Sequence, residues 1–352
     1  MLPTYIHKKS IYTHTFYQSH PRKTTMNQSC ESECKKIHDS LGRITHLAQA
    51  LACKTQLEIK KIRETYLVMY GEDLIDLLQK NTQLSNTQKN VCEALYMWML
   101  DPIEREAVMA REALDQQQSE VNYKVLVEMF VGRKSSLVVL IKQAYQAKFR
   151  RQMDQDIVNI EPPHPYKKIL VALVASHKAH HADVSQHIAK CDAKRLYQTG
   201  EGMSGSIDEA VVLEIFSKRS IPQLKLTFSC YKHIYGHDYT KSLKNGNYGE
   251  FEDALKVVVK CIYNPPKYYA KILYASIKGI TTDKGGLTRV MMNRGEVEME
   301  EIEGVFKKKY GMELSEAICE SESIPSGDYR HFLVALATRT RTTNTTITAI
   351  SS

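Results

Sequence analysis

Residues 268–294 read YYAKILYASIKGITTDKGGLTRVMMNR. The pattern predicts a helix, a tight polar loop and a second helix. Gly279 permits a backbone turn that residues with a Cβ resist, and Thr282 and Asp283 are favourable N-cap residues for the second helix. Leu287, Val290 and Met291 then resume an apolar stripe at helical spacing. Weaker copies of this unit occur three times upstream, which indicates a repeat.

Each copy contains two aromatic residues four positions apart, followed in three copies by glycine and in the second copy by Arg150. An aliphatic residue stands 12 positions after the first aromatic. The aromatic pairs are Tyr66 and Tyr70, Tyr145 and Phe149, Tyr231 and Tyr235, and Phe306 and Tyr310, and the aliphatic residues are Leu78, Ile157, Leu243 and Ile318. The pattern predicts a helical array in which the aromatic residues are core and the glycine is a helix C-cap.

The composition is ordinary for a soluble globular protein, since 43% of the 352 residues are hydrophobic and 25% are charged. No apolar run approaches the roughly 18–20 residues that span a bilayer, and no hydrophobic signal region opens the chain, so we expect an intracellular protein. The eight cysteines include no C-x-x-C pair; we therefore expect reduced, mostly buried thiols and no zinc site.

The net charge of +8 owes half of its value to Lys8, Lys9, Arg22 and Lys23. The remaining excess is too small to indicate nucleic acid. It suits an anionic lipid surface or simple solubility.

The repeats divide the chain, and the fold class predicted throughout is all-α. Residues 1–33 are interpreted as a flexible extension without a helical period. The four repeats are assigned to residues 34–103, 104–180, 190–264 and 265–339, with a linker at 181–189 and a Thr-rich tail at 340–352.

Two local signatures accompany the repeats, WMLDPIER at residues 98–105 and GDYRHFLVAL at residues 327–336. With them, the arrangement from about Cys34 to Arg339 resembles the annexin family, most of all the plant annexins. The resemblance implies a curved disc of four repeats, with about five short helices each. It implies a non-enzymatic protein of the cytoplasm, peripheral on the cytosolic face of membranes, which docks on acidic phospholipid through Ca²⁺ bound in interhelical loops. Oligomerisation on membranes and protein partners stay open.

The family's calcium loop reads Gly-x-Gly-Thr and is followed about 40 residues later by an acid, which suits an ion that takes six to eight oxygen ligands. In the fourth repeat the first glycine and the threonine survive, but Thr281 replaces the second glycine. The resemblance implies a site there, with the carbonyls of Ile277, Gly279 and Thr281 and the carboxylate of Glu322 or Glu320.

The other three repeats match the loop less well. The acid position falls near Gln83 in the first repeat, where the loop is residues 39–43, and near Gly246 in the third, where the loop is residues 202–208. Residues 116–122 of the second repeat offer no comparable turn. Because no carboxylate faces the ion in these loops, we expect weak calcium binding or none, and the fourth repeat as the main site.

A polar channel with ion pairs between the repeats is another feature of the family. The matching positions here are Glu106, Glu128, Arg133 and Arg289. The resemblance implies that these inter-repeat ion pairs hold the repeats in register, and ion conduction is the alternative.

Enzyme functions have little support in the sequence. Asp283-Lys-Gly-Gly286 fits the Asp-x-x-Gly of GTP-binding proteins, but no Gly-rich phosphate loop accompanies it. Cys53 stands where some plant annexins have a histidine for which a peroxidase role was proposed. His177, His180 and His181 are interpreted as surface residues rather than metal ligands.

The competing hypothesis is a calcium-independent scaffold of the same fold. It would bind protein partners or membranes through basic residues, namely Lys60, Lys61, Arg133, Lys134 and Lys307–Lys309.

Overall fold

The computed structural model describes residues 21–41, 43–80, 86–115, 120–131, 133–175, 184–202, 207–243, 249–281, 285–294 and 296–338. Within these ranges every regular element is a helix, so the predicted all-α class is confirmed. Twenty helices in the described residues fall into four consecutive groups of five, which together form a curved disc.

The helices of the first two groups are α1 (Pro21–Asp39), α2 (Ile44–Ala52), α3 (Gln56–Tyr70), α4 (Leu74–Lys80), α5 (Asn86–Met99), α6 (Pro102–Leu114), α7 (Tyr123–Val131), α8 (Ser135–Phe149), α9 (Met153–Val158) and α10 (Pro165–Ala175). Those of the last two are α11 (Gln186–Gln198), α12 (Glu209–Lys218), α13 (Ile221–Tyr235), α14 (Tyr239–Ser242), α15 (Glu250–Tyr263), α16 (Pro265–Ile277), α17 (Gly286–Asn293), α18 (Glu296–Tyr310), α19 (Leu314–Cys319) and α20 (328–338).

The first and third helices of each group pack on each other, and the third helix carries the aromatic pair. The leading aromatic residue is fully buried in all four groups, with its partner ring 4.6 to 5.1 Å away. All four aliphatic residues 12 positions later are buried as well. The interpretation of the pairs as core packing is therefore confirmed.

The third helices end in a left-handed residue, which lets the chain reverse into the fourth helix. Gly71, Gly236 and Gly311 have φ of 74°, 77° and 76°. Arg150 occupies the same position in the second group with φ of 56°, so the loss of glycine there did not change the backbone.

The prediction of a flexible extension up to residue 33 is wrong for its last part, because α1 begins at Pro21. Cys30 and Cys34 lie one turn apart on this helix and face α3. The Cys30 thiol lies 3.4 Å from the Thr65 hydroxyl, and Cys34 is buried against the carbonyl of Ile62. The linker predicted at 181–189 also ends early, since α11 begins at Gln186 with Ser185 as its N-cap.

Arg105 joins three of the groups from the interior of the disc. Its guanidinium donates to the carbonyls of Met97 and Met292, at 2.6 Å each, and to Oε1 of Gln56 at 2.7 Å. Trp98 lies beside it and donates from Nε1 to the carbonyl of Leu51 at 3.0 Å. Both residues belong to the signature at 98–105. Arg105 joins the groups, whereas Trp98 bonds within the first group and its ring lies 5.4 Å from the Arg105 guanidinium carbon.

Candidate functional site

The turn after α16 carries the carbonyls of the predicted calcium loop. Gly279 adopts φ of 66°, and the Ile280 amide donates back to the Ala275 carbonyl at 2.9 Å. Ile280 itself is 71% exposed. The next helix, α17, begins at Gly286 with Gly285 as its N-cap, so the predicted capping by Thr282 or Asp283 is wrong; those two residues lie outside the described part of the chain.

The segment that follows α19 packs directly over this turn. The Ser321 hydroxyl donates to the Ile277 carbonyl at 2.5 Å, and a Cβ at Gly279 would collide with the hydroxyl of Ser323. Arg330 stabilises the segment by donating to the carbonyls of Cys319 and Ser321, at 2.8 and 2.6 Å. Only glycine therefore fits position 279 while Ser323 keeps its place.

Glu320 and Glu322 lie on this segment, on either side of Ser321, and both are exposed. The side chains of this segment that the structure shows against the turn are the hydroxyls of Ser321 and Ser323. The described residues contain no group of three or more His, Cys, Asp or Glu side chains that could hold a metal ion. Carbonyl and carboxylate oxygens of the kind that Ca²⁺ prefers are present, but the Ile277 carbonyl is already hydrogen-bonded, so the fit is partial.

The other predicted loops extend beyond the described residues. Gln83 and Gly246 lie outside them, as do residues 42, 116–119 and 203–206, the three histidines at 177, 180 and 181, and Asp283. Cys53 is described and is exposed at the end of α2.

Glu128 on α7 and Arg289 on α17 are brought together across the disc. Arg289 Nε donates to Oε2 of Glu128 at 2.9 Å, and Nη2 donates to Oε1 at 3.1 Å. The two side chains are 3% and 5% exposed. This buried bidentate pair joins the second and fourth repeats.

Glu106 and Arg133 also pair, with Arg133 Nε at 2.8 Å from Oε1 of Glu106. Both residues lie in the second repeat. This pair is therefore within one repeat, whereas the sequence predicted an ion pair between repeats. Arg133 nevertheless reaches the fourth repeat, because it also donates to the carbonyl of Asn293 and approaches Glu298 at 3.4 Å.

The third repeat contains a matching pair that the sequence analysis missed. Arg219 Nε donates to Oδ2 of Asp192 at 2.6 Å, and Nη2 donates to Oδ1 at 3.1 Å. Asp192 precedes Arg219 by 27 residues, the same spacing that separates Glu106 from Arg133. That repeated spacing was the available signal.

A cavity of about 1100 Å³ lies beside the turn and is lined by residues from the first, second and fourth repeats. Glu93, Glu112 and Arg289 supply its charges. Burial, together with the nearby Glu93 carboxylate, raises the pKa of Glu112. The cavity joins the calcium-loop region to the buried pair of Glu128 and Arg289.

Comparisons with known proteins agree with this architecture. The family model described as Annexin matches residues 191–258 and 268–336. Annexin A13 of Homo sapiens is 32% identical over 290 residues, covering 82% of this chain and 88% of that protein. Annexin D2 of Arabidopsis thaliana is 33% identical over 287 residues, covering 81% and 86%. This chain belongs to the annexin family.

The solved structure of annexin III superimposes on this annexin with a TM-score of 0.76 at 29% identity, covering 88% of this chain and 93% of that one. Animal and plant annexins match at nearly the same identity, so the comparisons show the family without requiring its plant branch. Annexins in general are non-enzymatic proteins that bind phospholipid in a calcium-dependent manner. None of the described helices is long and apolar enough to cross a membrane.

Proposed function

We propose that this annexin binds acidic phospholipid membranes in a calcium-dependent manner, with reduced calcium affinity and with the fourth repeat as its main site. The observation that supports the proposal is the packing of residues 321–323 over the Gly279 turn. Glu320 and Glu322 flank Ser321 on this segment and are exposed, as is Ile280 on the turn. The protein would be peripheral on the cytosolic face of the membrane.

The residues that would hold the ion are the carbonyls of Ile277, Gly279 and Thr281 and the carboxylate of Glu322 or Glu320. When bound there, calcium would supply positive charge that attracts an anionic lipid surface. The exposed Lys278 side chain would contribute about 1 kcal/mol of favourable electrostatic free energy to binding at an anionic membrane surface. Ile280 contributes apolar contact at the interface, with an upper limit of about 3 kcal/mol for full burial.

The reduced affinity follows from Ser321. Calcium sites gain affinity with the number of charged ligands, and the side chain that contacts the Ile277 carbonyl is a neutral hydroxyl. For either glutamate to reach the ion, its exposed side chain would have to turn towards the loop. The proposal therefore expects calcium dependence that is weaker than a site with a built-in carboxylate would give.

The alternative is a calcium-independent scaffold that binds protein partners or membranes through basic residues. The contact between Ser321 and Ile277 favours it, because the side chain that bonds this carbonyl of the turn is a neutral hydroxyl. The structure supports this alternative less than the sequence does, because two of the basic residues are already paired. Arg133 is buried in its ion pairs, and Lys307 pairs with Glu313 at 2.6 Å. Lys60, Lys61 and Lys134 are exposed.

Co-sedimentation with phosphatidylserine vesicles across a calcium titration tests the proposal. Wild-type protein is expected to pellet only with calcium, and the E320Q/E322Q variant is expected to need a much higher calcium concentration. The variant E64Q/E301Q, which removes two exposed glutamates on α3 and α18, is the control and is expected to behave as wild type. An unchanged calcium midpoint in the folded E320Q/E322Q variant would exclude these carboxylates as ligands.

A chelator arm at low and high salt separates the two functions. Pelleting that persists in chelator and collapses at high salt would indicate a purely electrostatic contact and support the scaffold. The absence of any pelleting would contradict membrane binding and leave protein partners as the remaining form of the scaffold hypothesis.

A further inference from the structure

His187 and Cys191 form an exposed pair on the first turns of α11, in the third repeat. His187 Nε2 and Cys191 Sγ lie 3.8 Å apart, and both residues are exposed. Residues four positions apart lie on one face of a helix, and the zinc-binding histidines of the H-E-x-x-H motif use the same spacing. Thiolate sulfur and imidazole nitrogen are ligands that suit Zn²⁺. The pair therefore presents two suitable zinc ligands on one side of a helix.

The separation of the two ligand atoms is close to that of a zinc chelate. Zinc binds sulfur at about 2.3 Å and histidine nitrogen at about 2.0–2.1 Å, so a tetrahedral ion holds the two atoms about 3.6 Å apart. The separation in this structure is 3.8 Å. A thiol is a weak hydrogen-bond donor, so an ion that replaced the contact between thiol and imidazole would cost the protein little.

The backbone that carries the pair is held in place by contacts outside it. Ser185 is the N-cap of α11, and its hydroxyl accepts from the Ile188 amide at 3.3 Å. The amide and carbonyl of Ser185 also bond to the Gln223 side chain on α13, at 2.8 and 3.0 Å. Ala189 and Ala193 are fully buried on the opposite side of the helix. Ligands on a helix ordered in advance lose less conformational entropy on binding.

The pair would make an open site rather than a closed one. No third His, Cys, Asp or Glu side chain joins it in the part of the chain that the structure describes. With two protein ligands, a tetrahedral ion keeps two positions for water. Closed sites with four protein ligands stabilise folds, and C-x-x-C is their sequence signal. The lack of C-x-x-C in this chain therefore bears on the structural kind of zinc site and not on this one.

We propose that His187 and Cys191 bind Zn²⁺ reversibly at the surface of the third repeat. The imidazole binds the ion through the lone pair of Nε2, and the thiol releases its proton to solvent when its sulfur binds. The site is separate from the calcium loop in the fourth repeat, and Ca²⁺, which takes oxygen ligands, would not compete for it. The proposal does not rest on membrane binding.

Metal titration of the reduced full chain in excess Ca²⁺ tests the proposal. Cd²⁺ is added first as a thiophilic probe, because its binding to a thiolate produces a charge-transfer absorption in the ultraviolet, and Zn²⁺ is then added to displace it. Wild-type protein is expected to develop this absorption with the first equivalent of Cd²⁺ and to lose it when Zn²⁺ is added. The absence of the absorption, or a failure of Zn²⁺ to displace Cd²⁺, would overturn the proposal.

The variants H187Q and C191S assign the ligands. Both positions are exposed, so both variants are expected to fold, which circular dichroism checks. Each should weaken binding by about tenfold or more, since loss of a group that only supports a metal ligand already costs about 10–100-fold. H187Q is the sharper test, because it keeps the thiol. The matched controls H233Q and C319S remove an exposed histidine and an exposed thiol elsewhere and should leave the affinity unchanged.

Three further histidines precede α11 in sequence, at positions 177, 180 and 181, outside the described residues. The variant H177Q/H180Q/H181Q measures their contribution and is expected to keep both the absorption and the affinity. Unchanged affinity in folded H187Q or C191S would overturn the proposal. Loss of binding in the triple variant together with wild-type affinity in H187Q would also overturn it, because the histidine tract would then hold the ion.

Discussion

The guanidinium of Arg289 and the carboxylate of Glu128 form a buried bidentate pair, 161 positions apart in sequence, that links α17 of the fourth repeat to α7 of the second. Two opposite charges at this depth cost several kcal/mol each to remove from water, and their attraction repays the cost only when the geometry is good. The pair satisfies that condition, with two parallel N–H to O contacts. We infer that its role is to hold the two repeats in register.

Removing one member of this pair is expected to destabilise the protein by about 3–5 kcal/mol, because the other charge is left buried and unpaired. E128A and R289A should both show this loss in urea denaturation. The double variant E128L/R289M should lose much less than the sum of the two, because neither charge remains. A double variant whose loss equals that sum would show that the two residues do not act as a pair, and would remove the register role.

Ser321 is the position where a single substitution should restore calcium affinity. Its hydroxyl already contacts the Ile277 carbonyl, so S321E would place a carboxylate beside the loop oxygens, where a cation is needed to offset their repulsion. The calcium midpoint for pelleting with phosphatidylserine vesicles is expected to fall by about tenfold or more.

The control for this gain is S321A, which removes the hydroxyl without adding charge. It should cost about 1–3 kcal/mol of stability, because the hydroxyl both donates to the Ile277 carbonyl and accepts from the Ile324 amide, and it should not lower the calcium midpoint. If a folded S321E protein keeps the wild-type midpoint, the turn after α16 is not where this annexin holds calcium.

Much of the fold could be predicted because short sequence patterns, repeated four times, determine the helices and their buried faces. The pair Tyr231 and Tyr235 and the Gly236 that follows it fix a buried face and a helix end within six residues, and three other copies confirm the phase. The helical start of α1 could not be predicted in this way. Its first turns are polar, and the residues of α1 that contact α3 include Cys30, Cys34 and His38, which do not form an apolar stripe.

The candidate site was less predictable, because its determinants are contacts between distant segments. Acidic residues are the sequence signal of calcium ligands, so the pattern indicates Glu320 and Glu322 and gives no signal for Ser321, which lies between them. The role of Arg105 in joining the repeats could not be predicted for a related reason. The partners that the structure shows for it are mainly backbone carbonyls, which every residue carries and no sequence pattern reveals.

Asp156 should make stability depend on acid pH. Burial alone would raise the pKa of this carboxyl, but hydrogen bonds from Arg151 and Tyr145, at 2.7 and 2.6 Å, outweigh it and hold the pKa below its usual value. A lowered folded-state pKa stabilises the protein above the unfolded value of about 3.9, and that stabilisation is lost as pH falls through the folded-state pKa.

The D156N variant measures this contribution. It should lower the free energy of unfolding by about 1–3 kcal/mol at pH 7, since the side chain is 8% exposed and its partners lose a charged acceptor. The difference from wild type should shrink steadily between about pH 4 and pH 2. D154N, at a half-exposed carboxyl paired with Lys142, is the control and should cost less than about 1 kcal/mol. A pH-independent loss in D156N would contradict the assignment.

Arg150 offers a site where stability should increase. It is the only non-glycine residue with positive φ in the described chain, at 56°, and it ends α8 where glycine ends the corresponding helices. A side chain with a Cβ is strained in this conformation and glycine is not. R150G should therefore raise the free energy of unfolding by up to about 1 kcal/mol in urea denaturation with an unchanged m-value.

The reverse change, G236A, should lower the free energy of unfolding by about 1 kcal/mol through backbone strain alone, since no atom lies within 4 Å of the added Cβ. A loss of stability in R150G would mean that the arginine side chain stabilises this corner more than its backbone strain costs.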